Sequence, residues 1–253
     1  MIAAVLMAMG MLLGLGGLSI GEGETTLEGG DDPEALTGSD GDDSLSGGGG
    51  SDLLLGHGGD DSLSGGTGND WLFGLEGDDL INGGPGNDVI SGGYGSDTIN
   101  GGGGDDFVES AGLLDDPALL QSAGTADDFG DLAFLYDFDQ PGDTGDVIDL
   151  GPGDDTVVAG SDDTVTTGDG SDTIAMGDWH RGDAPVVITD FDPASDLITF
   201  AHDRAGPAPV FETFVNPLSG DAELRADGET FAVIRGAGAD FQAVEVLRKS
   251  YAA

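Results

Sequence analysis

Cysteine is absent from this 253-residue chain, and basic residues are absent from most of its length. Without sulfur there is neither a disulfide framework nor a thiolate metal site. The six cationic residues (Arg181, Arg204, Arg225, Arg235, Arg248 and Lys249) all follow position 180, whereas 38 of the 50 acidic residues precede it. A chain with a net charge of −44 cannot neutralise phosphates, so nucleic acid is excluded as a partner. Aromatic residues are few, at 6%. Carboxylates in such number, lacking partners of their own, either stay solvated in a disordered chain or meet a cation from outside.

Glycine separates those two outcomes. Of 49 glycines, 24 fall between residues 38 and 109. Collagen would require a period of three, and a flexible acidic linker would have none. This segment instead divides into eight nonapeptides, starting at Gly38, Gly47, Gly56, Gly65, Gly74, Gly83, Gly92 and Gly101. The most regular read G-G-T-G-N-D-W-L-F, G-G-P-G-N-D-V-I-S and G-G-Y-G-S-D-T-I-N. Position four is always Gly and position five is Asp, Asn or Ser. Position six is always Asp: Asp43, Asp52, Asp61, Asp70, Asp79, Asp88, Asp97 and Asp106. Position eight is always aliphatic: Leu45, Leu54, Leu63, Leu72, Ile81, Ile90, Ile99 and Val108. Low-complexity drift does not hold separate columns in register over such a length.

The last three residues of each unit predict a short strand with one side chain inward, and the first six predict a turn. Strand and turn repeating without a helix give an all-β fold, a right-handed parallel β-solenoid in which alternate units stack. These motifs resemble the RTX (repeats-in-toxin, haemolysin-type) calcium-binding repeat, closely over 38–109 and more loosely elsewhere. The resemblance implies a parallel β-roll that holds Ca²⁺ between turns of successive coils, on position-six aspartates and glycine-turn carbonyls. Carried onto this chain, it pairs Asp43 with Asp61, Asp61 with Asp79, and Asp79 with Asp97 along one edge. The other edge pairs Asp52 with Asp70, Asp70 with Asp88, and Asp88 with Asp106, making six sites. A degenerate unit, residues 29–37, offers Glu34 with Asp52 as a weaker seventh.

The donor chemistry agrees independently. Calcium is a hard cation that accepts six to eight oxygens in tolerant geometry, whereas an all-oxygen set disfavours Zn²⁺ and Cu²⁺. One aliphatic side chain in nine residues is a thin core, so the roll is expected to be unfolded without calcium and folded with it.

Outside the array the pattern is weaker. Residues 2–20 are apolar and long enough for a membrane span. They lack the basic flank and cleavage site of a signal peptide, so anchor, export segment and apolar helix packed on the roll all stay open. The G-x-S-x-G match at residues 17–21 has no strand-to-helix elbow around it and is read as chance. Residues 110–140 break the period as an irregular insertion. Residues 141–178 restore it in degenerate form, where Asp146 with Asp163 and Asp155 with Asp172 could make two more sites. The remainder, residues 179–253, predicts a small C-terminal β cap. It opens on a D-F-D…D-x-I segment at residues 190–198, similar to one near Tyr136, and ends in a counterpart of the family's type I secretion signal at residues 241–251.

The outward positions of the repeats differ between the two sheets. One face reads Ser44, Ser46, Ser62, Ser64, Leu80, Asn82, Thr98 and Asn100; the other reads Leu53, Leu55, Trp71, Phe73, Val89, Ser91, Phe107 and Glu109. The apolar second face calls for a cover from the same chain or for self-association. No catalytic constellation is visible: H-E-x-x-H is missing, and His57, His180 and His202 read as turn and loop residues. Ice binding would require a regular Thr/Asn row, which position three does not supply. The expectation is a secreted, non-enzymatic calcium-binding protein, extracellular or at the cell surface, exported by type I secretion machinery; the alternative is a calcium-dependent surface-layer or adhesin-type protein.

Overall fold

A computed structural model describes residues 23–112, 145–177, 184–203, 209–238 and 247–251. Its first ten strands are β1 (Thr26–Glu28), β2 (Ala35–Thr37), β3 (Ser44–Gly49), β4 (Leu53–Gly58), β5 (Ser62–Thr67), β6 (Trp71–Glu76), β7 (Leu80–Pro85), β8 (Val89–Tyr94), β9 (Thr98–Gly103) and β10 (Phe107–Glu109). The rest are β11 (Val147–Asp149), β12 (Thr156–Val158), β13 (Thr164–Thr166), β14 (Thr173–Gly177), β15 (Val186–Ile188), β16 (Leu197–Asp203), β17 (Phe211–Val215), β18 (Ala222–Ala226), β19 (Glu229–Ile234) and β20 (Leu247–Tyr251).

Odd-numbered strands β1 to β15 form one sheet, which continues into β19, β18 and β17; even-numbered strands β2 to β16 form the other, which ends on β20. Pairing within the coils is parallel, and Leu45, Leu63, Ile81 and Ile99 stack in register on one side as Leu54, Leu72 and Ile90 do on the other. The fold is therefore an all-β parallel solenoid, and no helix occurs among the described residues. The apolar segment 2–20 and its expected helix lie outside them.

Strands in the array are longer than the three residues expected. They run six residues, from position seven of one unit through position three of the next. Residues at the start of a unit continue the ladder, with position two at positive φ (107° at Gly66), so the true turn shrinks to positions four to six. The pleat puts each position-eight side chain inward, where all eight are at most 1% exposed.

The solenoid does not stop at the end of the regular repeats. β9 pairs with β11 and β10 with β12, in the same parallel register used within the array. At the far end the antiparallel strands β17, β18 and β19 add to one sheet, giving the expected β cap. Phe200, Phe211 and Phe231 pack edge to face there, with ring centroids 4.9–6.1 Å apart. An Arg235–Asp221 ion pair at 3.1 Å lies on the exposed rim of the same cap.

The apolar outer face follows the expectation of cover within the chain at most of its positions, with Leu53 and Trp71 partly buried. Leu55, Phe73, Val89 and Phe107 are between 1% and 8% exposed in the single chain, so this face is covered rather than presented. On the opposite sheet Leu80 and Val147 are more than half exposed among hydroxyl and amide side chains.

Candidate metal centre

Each turn delivers its position-six aspartate into the space between coils, and two constraints fix it there. One carboxylate oxygen, Oδ1, accepts a hydrogen bond from the backbone N–H of the aspartate one coil earlier. Asp43 donates to Asp61 at 2.7 Å, Asp52 to Asp70 at 2.8 Å, Asp61 to Asp79, Asp70 to Asp88, Asp79 to Asp97 and Asp88 to Asp106, each at 2.8 Å. The six pairs drawn from the sequence thus stand side by side. The other oxygen, Oδ2, turns back toward position one of its own unit. A Cβ built on Gly65 would lie 2.5 Å from Asp70 Oδ2 and 2.7 Å from the Gly83 carbonyl oxygen of the next coil. No real side chain fits in that space, so glycine is required by the oxygens that face it.

Position four meets a similar constraint. Gly59 has φ 109°, and a Cβ there would come within 2.6 Å of the Gly41 carbonyl carbon. A side chain is excluded by backbone conformation and by the coil below at once.

Oδ2 is buried without a hydrogen-bond partner in Asp52, Asp61, Asp70, Asp79, Asp88, Asp97, Asp106, Asp155 and Asp172. Carboxylate oxygens in a protein interior are normally satisfied, so a repeated row of unsatisfied ones marks a missing positive partner. The electrostatics carry the same message. Burial is the main cause that raises Asp52, Asp61, Asp97 and Asp172 to about 6, Asp79, Asp88 and Asp155 to about 7, and Asp106 to about 8. Asp70 moves in the same direction for the same reason. The hydrogen bond to Oδ1 opposes these shifts without cancelling them. Buried oxygen-only positions lined by a carboxylate and a backbone carbonyl suit a hard divalent cation such as Ca²⁺.

Two nominated aspartates are held differently. Asp163 Oδ2 accepts from Ser110 Oγ at 2.8 Å and from the Gly160 N–H at 2.6 Å, while its Oδ1 accepts from the Asp146 N–H at 2.9 Å. Asp43 Oδ2 accepts from the Ser39 N–H at 2.5 Å and from Ser39 Oγ at 3.1 Å. In both, protein donors occupy the second oxygen. Glu34 is farther from the pattern: it is incompletely buried, and its Oε2 accepts from the Gly30 N–H at 3.0 Å.

The structure also makes junctions that the sequence spacing concealed. Asp97 donates to Asp146 and Asp106 to Asp155, each at 2.7 Å and across 49 residues. The Leu150 carbonyl takes the place of a glycine carbonyl there, 2.6 Å from where a Gly101 Cβ would be, with Asp106 Oδ2 at 2.7 Å. Asp155 donates to Asp172 at 2.9 Å, and Asp172 donates to Asp196 at 3.3 Å, so the ladder runs on into the cap. Asp196 was legible as the last aspartate of the D-F-D…D-x-I pattern, although its spacing of 24 residues from Asp172 hid its role. Ser110, the residue after the last regular unit, carried no sequence signal at all.

His57, expected in a turn, lies within β4 at φ 88° and pairs in register with Leu75 of β6. His180 lies outside the described residues.

Comparison with known proteins agrees with this geometry. The family model of the RTX calcium-binding nonapeptide repeat matches in four copies, at residues 28–63, 55–90, 82–112 and 142–174. A solved structure with some similarity is the extracellular lipase LipA from Serratia marcescens, at 16% identity and a TM-score of 0.25. That match covers 78% of this chain and 40% of the lipase. No curated protein matches.

Proposed function

We propose, for a chain that belongs with the RTX calcium-binding nonapeptide-repeat proteins, that its β-roll is a non-catalytic structural module which folds on calcium outside the cell. The observation that carries this reading is the row of buried, unpartnered Oδ2 atoms repeated from coil to coil. Bound calcium would neutralise these carboxylates and join each coil to the next. The residues assigned to it are Asp52, Asp61, Asp70, Asp79, Asp88, Asp97 and Asp106, with Asp155 and Asp172 extending the rows, each with carbonyl oxygens of the adjoining turns. Asp146 continues its row between Asp97 and Asp163, while Asp43 and Asp163 close the rows with protein donors on their second oxygen.

The protein residues do the rest of the work. Oδ1 bonds fix each carboxylate in register, so ordering the turn costs less when the ion arrives. Glycine at position one keeps the space open, and the position-eight column excludes water beneath it. A chain with so little apolar filling stays unfolded where calcium is scarce and folds where it is abundant, which suits passage through a secretion channel. Calorimetric titration of the metal-stripped protein tests this, with a stoichiometry of six or more as the expected result. The surface-layer alternative would use the same outer row, where Leu53 and Trp71 stay partly buried beside the buried Leu55 and Phe73.

A further inference from the structure

Position five separates the two edges of the roll. On the edge that carries Asp61, Asp79 and Asp97, position five reads Asp42, Asp60, Asp78 and Ser96. On the edge that carries Asp52, Asp70 and Asp88, it reads Ser51, Asn69 and Asn87. Each of these side chains makes the same kind of bond: it accepts from the position-five N–H of the next coil. Asp60 donates to Asp42 Oδ1 and Asp78 to Asp60 Oδ1, each at 3.0 Å; on the other edge Asn87 donates to Asn69 Oδ1, also at 3.0 Å. Backbone geometry is thereby matched and charge is not. From Asp42 to Asn87 one edge holds exposed carboxylates beside its buried ones and the other holds neutral amide and hydroxyl groups. Past that stretch the order reverses, with Ser96 on the first edge and Asp105 and Asp154 on the second.

We propose that over the stretch from Asp43 to Asp97 the two edges take up calcium unequally: sites at Asp61, Asp79 and Asp97 are the tighter, because Asp42, Asp60 and Asp78 stand beside them. Sites at Asp52, Asp70 and Asp88 are the weaker, because Ser51, Asn69 and Asn87 take those places. Within that stretch binding therefore begins on one edge, and Asp105 and Asp154 place the sites at Asp106 and Asp155 with the tighter class. This rests on the calcium reading above and adds to it an order of filling.

The fields within the protein point the same way. After burial, the charges that act on Asp61 include Asp42 and Asp60, on Asp79 Asp60, and on Asp97 Asp78. On the other edge the only charge acting on Asp88 is Asp70, and none is resolved at Asp70. A carboxylate roughly 8 Å from a divalent ion in a water-like dielectric changes affinity about five-fold. Screening reduces that to about two-fold at physiological salt.

The test neutralises one edge and charges the other. In D42N/D60N/D78N each Asn keeps the acceptor that Asn69 already uses, so the coil-to-coil bond survives. Calcium titrations by calorimetry, at about 10 mM and about 150 mM salt, should show two classes in the native chain. The triple variant should weaken the tight class by about five-fold or more at low salt, and by less at high salt. N69D/N87D should strengthen the weak class under the same conditions. Terbium emission sensitised by Trp71, in a W179F background, reports the row next to Asp70. It should rise late in the native titration and earlier in N69D/N87D. A single class in the native chain, or a tight class unmoved by the triple variant at low salt, overturns the proposal. A native chain that takes up no calcium overturns instead the reading it rests on.

Discussion

Residues 38–109 and residues 145–177 lie in the same two sheets, yet their turns are filled by different means. In the first region coils repeat every 18 residues, position one is glycine, and Oδ2 of one aspartate after another lacks a donor. In the second the coils shorten to 17 residues, and the buried Leu150 and Thr167 stand at position one. Asp163 there is satisfied by Ser110 and Gly160. The inward columns continue through both regions, with Ile148, Val157, Val165 and Ile174 all at most 1% exposed. Strand register thus survives the change, and the turn can be completed either by an external cation or by the protein's own hydrogen-bond donors. Oxygens are left open all along the first region, but in the second only beside turns that the protein completes itself, as at Asp155 and Asp172. The turns that hold open oxygens are those whose folding depends on solution conditions.

The largest effect is expected from pH in the absence of metal, which acts on the regular array and also on Asp155 and Asp172 of the second region. The raised aspartates bind more protons folded than unfolded. Their contribution is fully present below about pH 4 and is lost as pH rises through about 6 to 8. Metal-stripped protein should therefore show more strand by far-UV circular dichroism near pH 4 than near pH 8. With calcium the dependence reverses, because the ion competes with those protons, and its affinity should grow over the same range. Equal strand content at both pH values without metal would erase the distinction.

Next in size is the loss of a shared ligand. Asp70 lies between Asp52 and Asp88 in its row, so Asp70→Ala should remove about two ions from the calorimetric stoichiometry. At calcium about 100-fold above its dissociation constant, each lost site should lower stability by about 2.7 kcal/mol. Gly65→Ala, which drives a methyl group against Asp70 Oδ2 and the Gly83 carbonyl, should imitate it without removing a carboxylate.

Asp163→Asn provides the contrast. It should cost about 1–3 kcal/mol in thermal unfolding, since an amide N–H₂ or a lone acceptor then faces Ser110 and Gly160. Calcium stoichiometry should not change. A loss of bound ion in this variant would place Asp163 among the ligands. Ser110→Ala is a milder form of the same change, at about 1 kcal/mol. The smallest effect is expected from Arg235→Ala on the exposed cap, within about 0.5 kcal/mol.

The repeat array was readable in the sequence because each of its requirements recurs every nine residues. Asp at position six, Gly at positions one and four and an aliphatic residue at position eight answer to separate physical needs, and the six carboxylate pairs follow from counting. What was hidden depends on contacts that do not recur. Ser110 and Ser39 satisfy aspartates through single hydroxyl groups, which no period announces. The Asp97–Asp146 and Asp106–Asp155 junctions span a break in the repeat, so their pairing appears only once the strands on either side are seen side by side. The strands are longer than glycine composition implies, because positions one to three stay in the ladder although position two has positive φ. Composition also made one outer face apolar, but only the fold shows that Phe73 and Val89 on that face are covered.

The central claim is that cations complete the turns of residues 38–109. It is met most directly by following far-UV circular dichroism as calcium is added to metal-stripped protein near pH 8. Strand signal should be largely missing at the outset, appear cooperatively, and saturate together with ion uptake. A full strand signal before any calcium is added, with a cooperative melt that calcium does not move, would contradict it.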